Sequence, residues 1–109
     1  MNTTEFKKIM DETIERIQTL SNTKGEEYAG SEDRLGNFKR NGERIDLDPL
    51  QIWHVYASKH YDSICTYIKD IATGKVRERS ELIEGRADDL ILYLILFKAL
   101  VADRAKQIK

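Results

Sequence analysis

The sequence predicts an all-α fold: a bundle of three long helices plus a short helix in a loop, completed by oligomerisation. Three observations carry this. Charged residues make up 34% and hydrophobic residues 40% of the 109 residues, with one proline and few aromatics, a composition that fits helices and argues against disorder or a β-sandwich. Apolar residues recur at steps of three and four along much of the chain. The stretch Leu90 to Ala102 is apolar apart from Tyr93 and Lys98, so one flank of that helix stays open in a three-helix arrangement and calls for a partner chain. The length suits one domain, residues 1–109, with a single modest core.

Phe6, Ile9, Met10, Thr13, Ile17 and Leu20 alternate with charged residues at helical spacing, so residues near 3–23 form an amphipathic helix with Thr3 or Thr4 as its cap. The segment from Lys24 to Leu47 holds Gly25, Gly30, Gly36 and Gly42 and few large apolar residues. A structureless connection of that length is uncommon, which places a short helix near 31–40 with Ser31 as cap and Gly42 as its stop. Asp48-Pro49 starts the next helix, an N-cap acid followed by proline at the first helical position. Its apolar face is read as Leu50, Trp53, Ala57, Tyr61, Ile64, Cys65, Ile68, Ile71 and Ala72, and Gly74 ends it. After a charged connection over 75–79, Ser80 is placed to cap the last long helix.

Glu81, Glu84, Asp88 and Asp89 lead directly into the apolar run. At about 100° per residue Glu84 and Asp88 share one stripe, where like charges repel unless a cation sits between them. A hard divalent ion, Mg²⁺ or Mn²⁺, is one such cation. Acids at a helix start also serve the macrodipole without any ligand, which accounts for Glu81 and Glu84 more readily than for Asp88 and Asp89, two turns inside. Lys24, Arg34, Lys39, Arg40 and Arg44, interleaved with glycines, suit the gripping of phosphate oxygens, with an ordinary polar loop as the competing reading. Glu26, Glu27 and Asp33 are further candidate ligands. Asn37-Phe38 combines an amide for hydrogen bonding to a base with a ring for stacking. Lys59, His60 and Asp62 cluster on the second long helix, where Lys59 and Asp62 can also form a surface ion pair. His54 and the tyrosines read as packing residues.

A net charge of −1 gives no bulk attraction to nucleic acid or to an anionic membrane. One cysteine, Cys65, excludes an intrachain disulfide and suits a reducing compartment. The polar N-terminus lacks the apolar core of a signal peptide, and the run near Leu90 is shorter than the roughly 18 residues of a membrane span, so a cytoplasmic protein is expected.

Four segments resemble a known family: Lys24-Gly-Glu-Glu-Tyr28, then Asp33-Arg-Leu-Gly-Asn-Phe-Lys39, then Lys59-His60-Tyr-Asp62, then Asp88-Asp89-Leu-Ile-Leu-Tyr93. Together they look like the small phage-type proteins of the nucleotide modification associated domain 1 family and, more distantly, the MazG-like all-α nucleoside triphosphate pyrophosphatases. The resemblance implies a bundle built from more than one chain, as a homodimer or homotetramer. It also implies Mg²⁺ on helix carboxylates and hydrolysis of a nucleoside triphosphate to monophosphate and pyrophosphate. Carried onto this chain, Glu84, Asp88 and Asp89, with Glu27, would hold the metal. Glu84, Asp88, Lys59 and His60 would serve catalysis, and Lys24, Arg34, Asn37, Phe38 and Lys39 would hold the nucleotide. The chain departs from the MazG-like pattern, which pairs Glu-x-x-Glu on one helix with Glu-x-x-Asp on the next. The second long helix has only Asp62 and Asp70, and Glu84 stands four residues before Asp88. The leading expectation is a Mg²⁺-dependent pyrophosphohydrolase of phage or prophage nucleotide metabolism. The alternatives are a noncatalytic nucleotide-binding or sequestering protein and an oligomeric interaction protein without ligand.

Overall fold

The computed structural model describes residues 1–28, 33–79 and 81–108, and of residues 25–28 and 108 the backbone alone. Among the described residues the chain forms four helices and no strand: α1 Thr3–Tyr28, α2 Gly36–Ile45, α3 Pro49–Thr73 and α4 Ile83–Ile108. α3 and α4 form the main pair, α2 packs on α3, and α1 lies along α4. No helix among them is long and apolar enough to cross a membrane.

Asn2, rather than Thr3 or Thr4, caps α1: its Oδ1 accepts from the Glu5 amide at 2.8 Å. The helix runs past residue 23 and through Gly25 to Tyr28, so the connection to α2 is shorter than the glycine content implies. A glycine inside a helix costs about 1 kcal/mol relative to alanine, and Glu26 and Glu27 beyond it are good helix formers.

The short helix lies later than expected, over Gly36–Ile45 in place of 31–40. Ser31 lies outside the described residues. The entry is a turn in which Asp33 accepts from the Leu35 amide at 3.0 Å through its side chain and from the Gly36 amide at 3.1 Å through its carbonyl. The stop is Asp46, in the left-handed region at φ 56°, and not Gly42. Gly42 sits inside α2 because the chain folds back over it. The Leu47 amide donates to the Gly42 carbonyl at 2.8 Å, and a Cβ on Gly42 would stand 2.5 Å from the Leu47 carbonyl oxygen.

α3 starts and ends where local chemistry requires. The Asp48 side chain accepts from the Leu50 amide at 2.9 Å, and Gln51 Oε1 accepts from the Asp48 amide at 2.9 Å, a capping box with Pro49 at the first helical position. Gly74 closes the helix at φ 70°. Its covered side differs from the expected stripe. Ile52 and Ala57 are buried, whereas Tyr61, Cys65, Ile68, Ile71 and Ala72 are exposed, because little of the chain covers the C-terminal half of α3. Near its end Asp70 is buried and accepts from Arg77 at 2.8 and 3.3 Å, with Arg79 at 3.5 Å, which ties the 75–79 connection back to the helix. That hydrogen bond from Arg77 holds the Asp70 carboxyl below the usual carboxylate range. Ser80 is not among the described residues, and α4 begins at Ile83.

The core lies between α2, α3 and α4: Leu35, Phe38, Ile52 and Leu100 are buried, with Leu50, Trp53, Tyr56, Tyr93 and Leu96 packed around them. The Trp53 indole donates to the Tyr93 carbonyl at 2.6 Å and stacks obliquely on Phe97 at 4.9 Å. Of the predicted α1 face, Ile17 is buried and Thr13 and Leu20 are half-buried, while Phe6, Ile9 and Met10 are exposed. Ile91, Leu94, Ile95 and Val101 of α4 also face outward. The radius of gyration, 16.5 Å, exceeds the ~13 Å of a compact chain of this length.

Candidate functional site: a cavity where four helices meet

A cavity of about 480 Å³ opens between the four helices, within the range typical of small-molecule sites. α1 contributes Ser21 and Lys24, and Arg34 enters from the connection before α2. α2 contributes Asn37 and Phe38, α3 contributes Tyr56, Lys59 and His60, and α4 contributes Leu92, Tyr93 and Leu96. Six residues singled out in the sequence, Lys24, Arg34, Asn37, Phe38, Lys59 and His60, therefore meet in one place. The lining joins three cations to an aromatic wall.

Each cation is held differently. Arg34 donates to the Ser21 carbonyl at 2.6 Å and to its hydroxyl at 2.8 Å, which anchors the connection to α1. Lys24 reaches Asp89 at 3.4 Å. The Lys59 ammonium lies over the Tyr56 ring, 5.7 Å from its centroid, in place of the Asp62 pairing open to it in sequence. Phe38 is only 3% exposed, so it acts mainly as a core anchor, with Tyr56 and Tyr93 set around it at 6.2 and 6.3 Å. More of the aromatic surface open to a ligand belongs to the two half-buried tyrosines, which the sequence reading assigned to packing. Asn37 belongs to a polar chain: Asn41 donates to Asn37 Oδ1 and to the Tyr56 hydroxyl, each at 3.0 Å.

His60 sits beneath this wall, its ring 5.0 Å from that of Tyr93 and its Nδ1 3.5 Å from Asp89 Oδ2, out of hydrogen-bonding alignment. Burial lowers its pKa below the ordinary value and outweighs the opposing pull of Asp89. The imidazole is neutral at neutral pH. Asp89 is itself buried, between Lys24 and His60, so the two cavity residues are braced by one carboxylate of α4.

A second hollow runs between α1 and the start of α4, lined by Glu12, Glu15, Glu81, Asp88 and Asp89 together with Arg16 and Lys24. Lys24 borders both spaces. In sequence Glu12 and Glu15 read only as part of the charged face of the first helix, although their three-residue spacing puts them on one side of α1 and is the available signal. Asp88 accepts from Arg16 at 2.9 Å. Glu84, expected beside Asp88, is exposed and does not line this groove.

Among the described residues no three acids, histidines or cysteines gather so as to hold a metal ion. The cations facing Asp88 and Asp89 are Arg16 and Lys24, which supply the countercharge the sequence called for. The described residues alone therefore do not fit a preformed Mg²⁺ centre. The side chain of Glu27 lies outside the described residues. Lys39 is not brought to the cavity: it pairs with Asp33 at 2.9 Å and Asp103 at 3.2 Å, and the Asp33 hydrogen bond raises its pKa. His54 is exposed on α3 and does not pack.

Comparison with protein families, curated proteins and solved structures finds no match to the chain.

Proposed function

We propose that this chain binds a nucleoside phosphate in the cavity between its four helices. One observation supports this most: Lys24, Arg34 and Lys59 line the same cavity as Tyr56, Tyr93 and Asn37. Three cations match a polyphosphate, and aromatic surface beside an amide matches a base. Neither half alone separates a nucleotide from an inorganic anion or an apolar ligand. The likeness to phage-type nucleotide modification proteins supports a role in phage nucleotide metabolism. The exposed apolar residues of α1 and α4 support a homodimer or homotetramer as the working form.

A second reading is a Mg²⁺-dependent nucleoside triphosphate pyrophosphohydrolase. It is favoured by the groove of Glu12, Glu15, Glu81, Asp88 and Asp89, which adjoins the cavity through Lys24. In that reading Asp88 and Asp89, which pair with Arg16 and Lys24, would hold the ion, and the ion would neutralise phosphate charge.

A thermal-shift panel of nucleoside mono-, di- and triphosphates tests binding. A ligand at a hundred times its Kd stabilises the fold by about 2.7 kcal/mol. Lys24→Met and Lys59→Met should weaken the response, whereas Lys39→Met should leave it intact. Pyrophosphate release with Mg²⁺, lost in Asp88→Asn, separates the second reading from binding alone. No shift with any nucleotide rejects both.

A further inference from the structure

Arg44, on the exposed side of α2, sets the orientation of an amide that lines the cavity. A guanidinium only donates hydrogen bonds, so the 3.0 Å contact of Arg44 with Asn41 requires the Asn41 oxygen on that side. The Asn41 nitrogen then points inward and donates to Asn37 Oδ1 and to the Tyr56 oxygen, each at 3.0 Å. Asn37 has its oxygen engaged in this way, and among the described residues its own NH₂ has no acceptor. Tyr56, whose oxygen accepts from Asn41, keeps its hydroxyl proton to give. The uncharged polar groups on this side of the cavity are therefore donors.

We propose that the cavity selects nucleotides whose base presents a carbonyl oxygen, such as uracil, thymine or hypoxanthine, over those that present an exocyclic amine, cytosine and adenine. This rests on the nucleotide reading above. A carbonyl accepts from the Asn37 and Tyr56 donors. An amine in its place sets donor against donor and leaves half-buried N–H and O–H groups without partners.

The test is calorimetric titration of the full chain with α,β-imido analogues of dUTP and dCTP, and of inosine and adenosine triphosphates, in Mg²⁺. The carbonyl member of each pair should bind about ten-fold or more tightly. Asn37→Asp, an acceptor in place of a donor, should invert the uracil to cytosine ratio. Because that variant also adds charge near the phosphates, Arg44→Met is the decisive companion: it lies outside the cavity lining, releases the Asn41 and Asn37 amides to turn, and should bring both ratios toward one with binding retained. Equal binding of the two members, preference for the amine, or a carbonyl preference that survives Arg44→Met overturns the proposal while nucleotide binding stands. Binding of none of the four overturns both.

Discussion

Arg16 of α1 donates to the Asp88 carboxylate of α4 at 2.9 Å, joining residues 72 positions apart across the acidic groove. Donating that hydrogen bond to Asp88 raises the Arg16 pKa, with Glu12 and Glu84 adding to the field. A divalent ion entering the groove must displace that guanidinium or share the carboxylate with it. Arg16→Met should therefore lower the melting temperature of the metal-free protein and enlarge the rise produced by Mg²⁺ or Mn²⁺, while Asp88→Asn should abolish the rise. Melts that ignore both metals in the wild type and in Arg16→Met would show that these acids hold no ion.

Two glycines should respond oppositely to alanine. Gly42 carries the Leu47 carbonyl where a Cβ would stand, and the crowding involves backbone on both sides, so Gly42→Ala should destabilise by about 1–3 kcal/mol. Gly85 lies in α4 with open space around its Cβ position, so Gly85→Ala should stabilise by about 0.5–1 kcal/mol through helix propensity. Urea unfolding of the two variants beside the parent measures both signs.

His60 makes stability depend on pH in a defined direction. Burial lowers its pKa below the ordinary 6.5, Arg86 and Lys24 push the same way, and Asp89 and Glu81 oppose them. The unfolded chain thus binds the proton more readily than the folded one. The contribution is full above pH 6.5 and is lost as the pH falls through and below that value. His60→Gln should flatten the fall in stability between roughly pH 7 and 5. An unchanged slope in that variant would assign the pH dependence to other groups.

The outward apolar residues make self-association testable. Phe6, Met10 and Ile14 on α1 are 55%, 48% and 50% exposed, and Leu94 and Ile95 on α4 are 50% and 51% exposed. Large apolar side chains left open on two helices in this number are the raw material of an interaction site. Light scattering at micromolar concentration should give a dimer or larger, and Leu94→Lys should shift it toward monomer without unfolding the chain, since position 94 is open in a single copy. A wild-type monomer at that concentration would count against the assembly.

Helix identity and several helix ends were legible in the sequence because they depend on neighbours a few residues away. Asp48-Pro49 and Gly74 bound α3 by local capping chemistry, and the three- and four-residue apolar spacing marked the long helices. The register of α2 was not legible. Gly42 looks like a stop in one dimension, and only the return of Leu47 over it explains why it lies inside the helix. The cavity was half legible: Lys24, Arg34, Asn37, Lys59 and His60 were chosen for their chemistry, with nothing in their spacing to show that they meet. Lys39 looked equivalent to Lys24 until Asp33 and Asp103 closed around it. Glu12 and Glu15 resembled a solvated helix face until α1 lay against Asp88. The sequence by itself determined that this chain is helical and where α3 begins and ends, since backbone hydrogen bonds and caps act within a turn or two. Tertiary structure alone decided which charges are spent on one another and which face the cavity, because electrostatic partnership follows distance across helices and not distance along the chain.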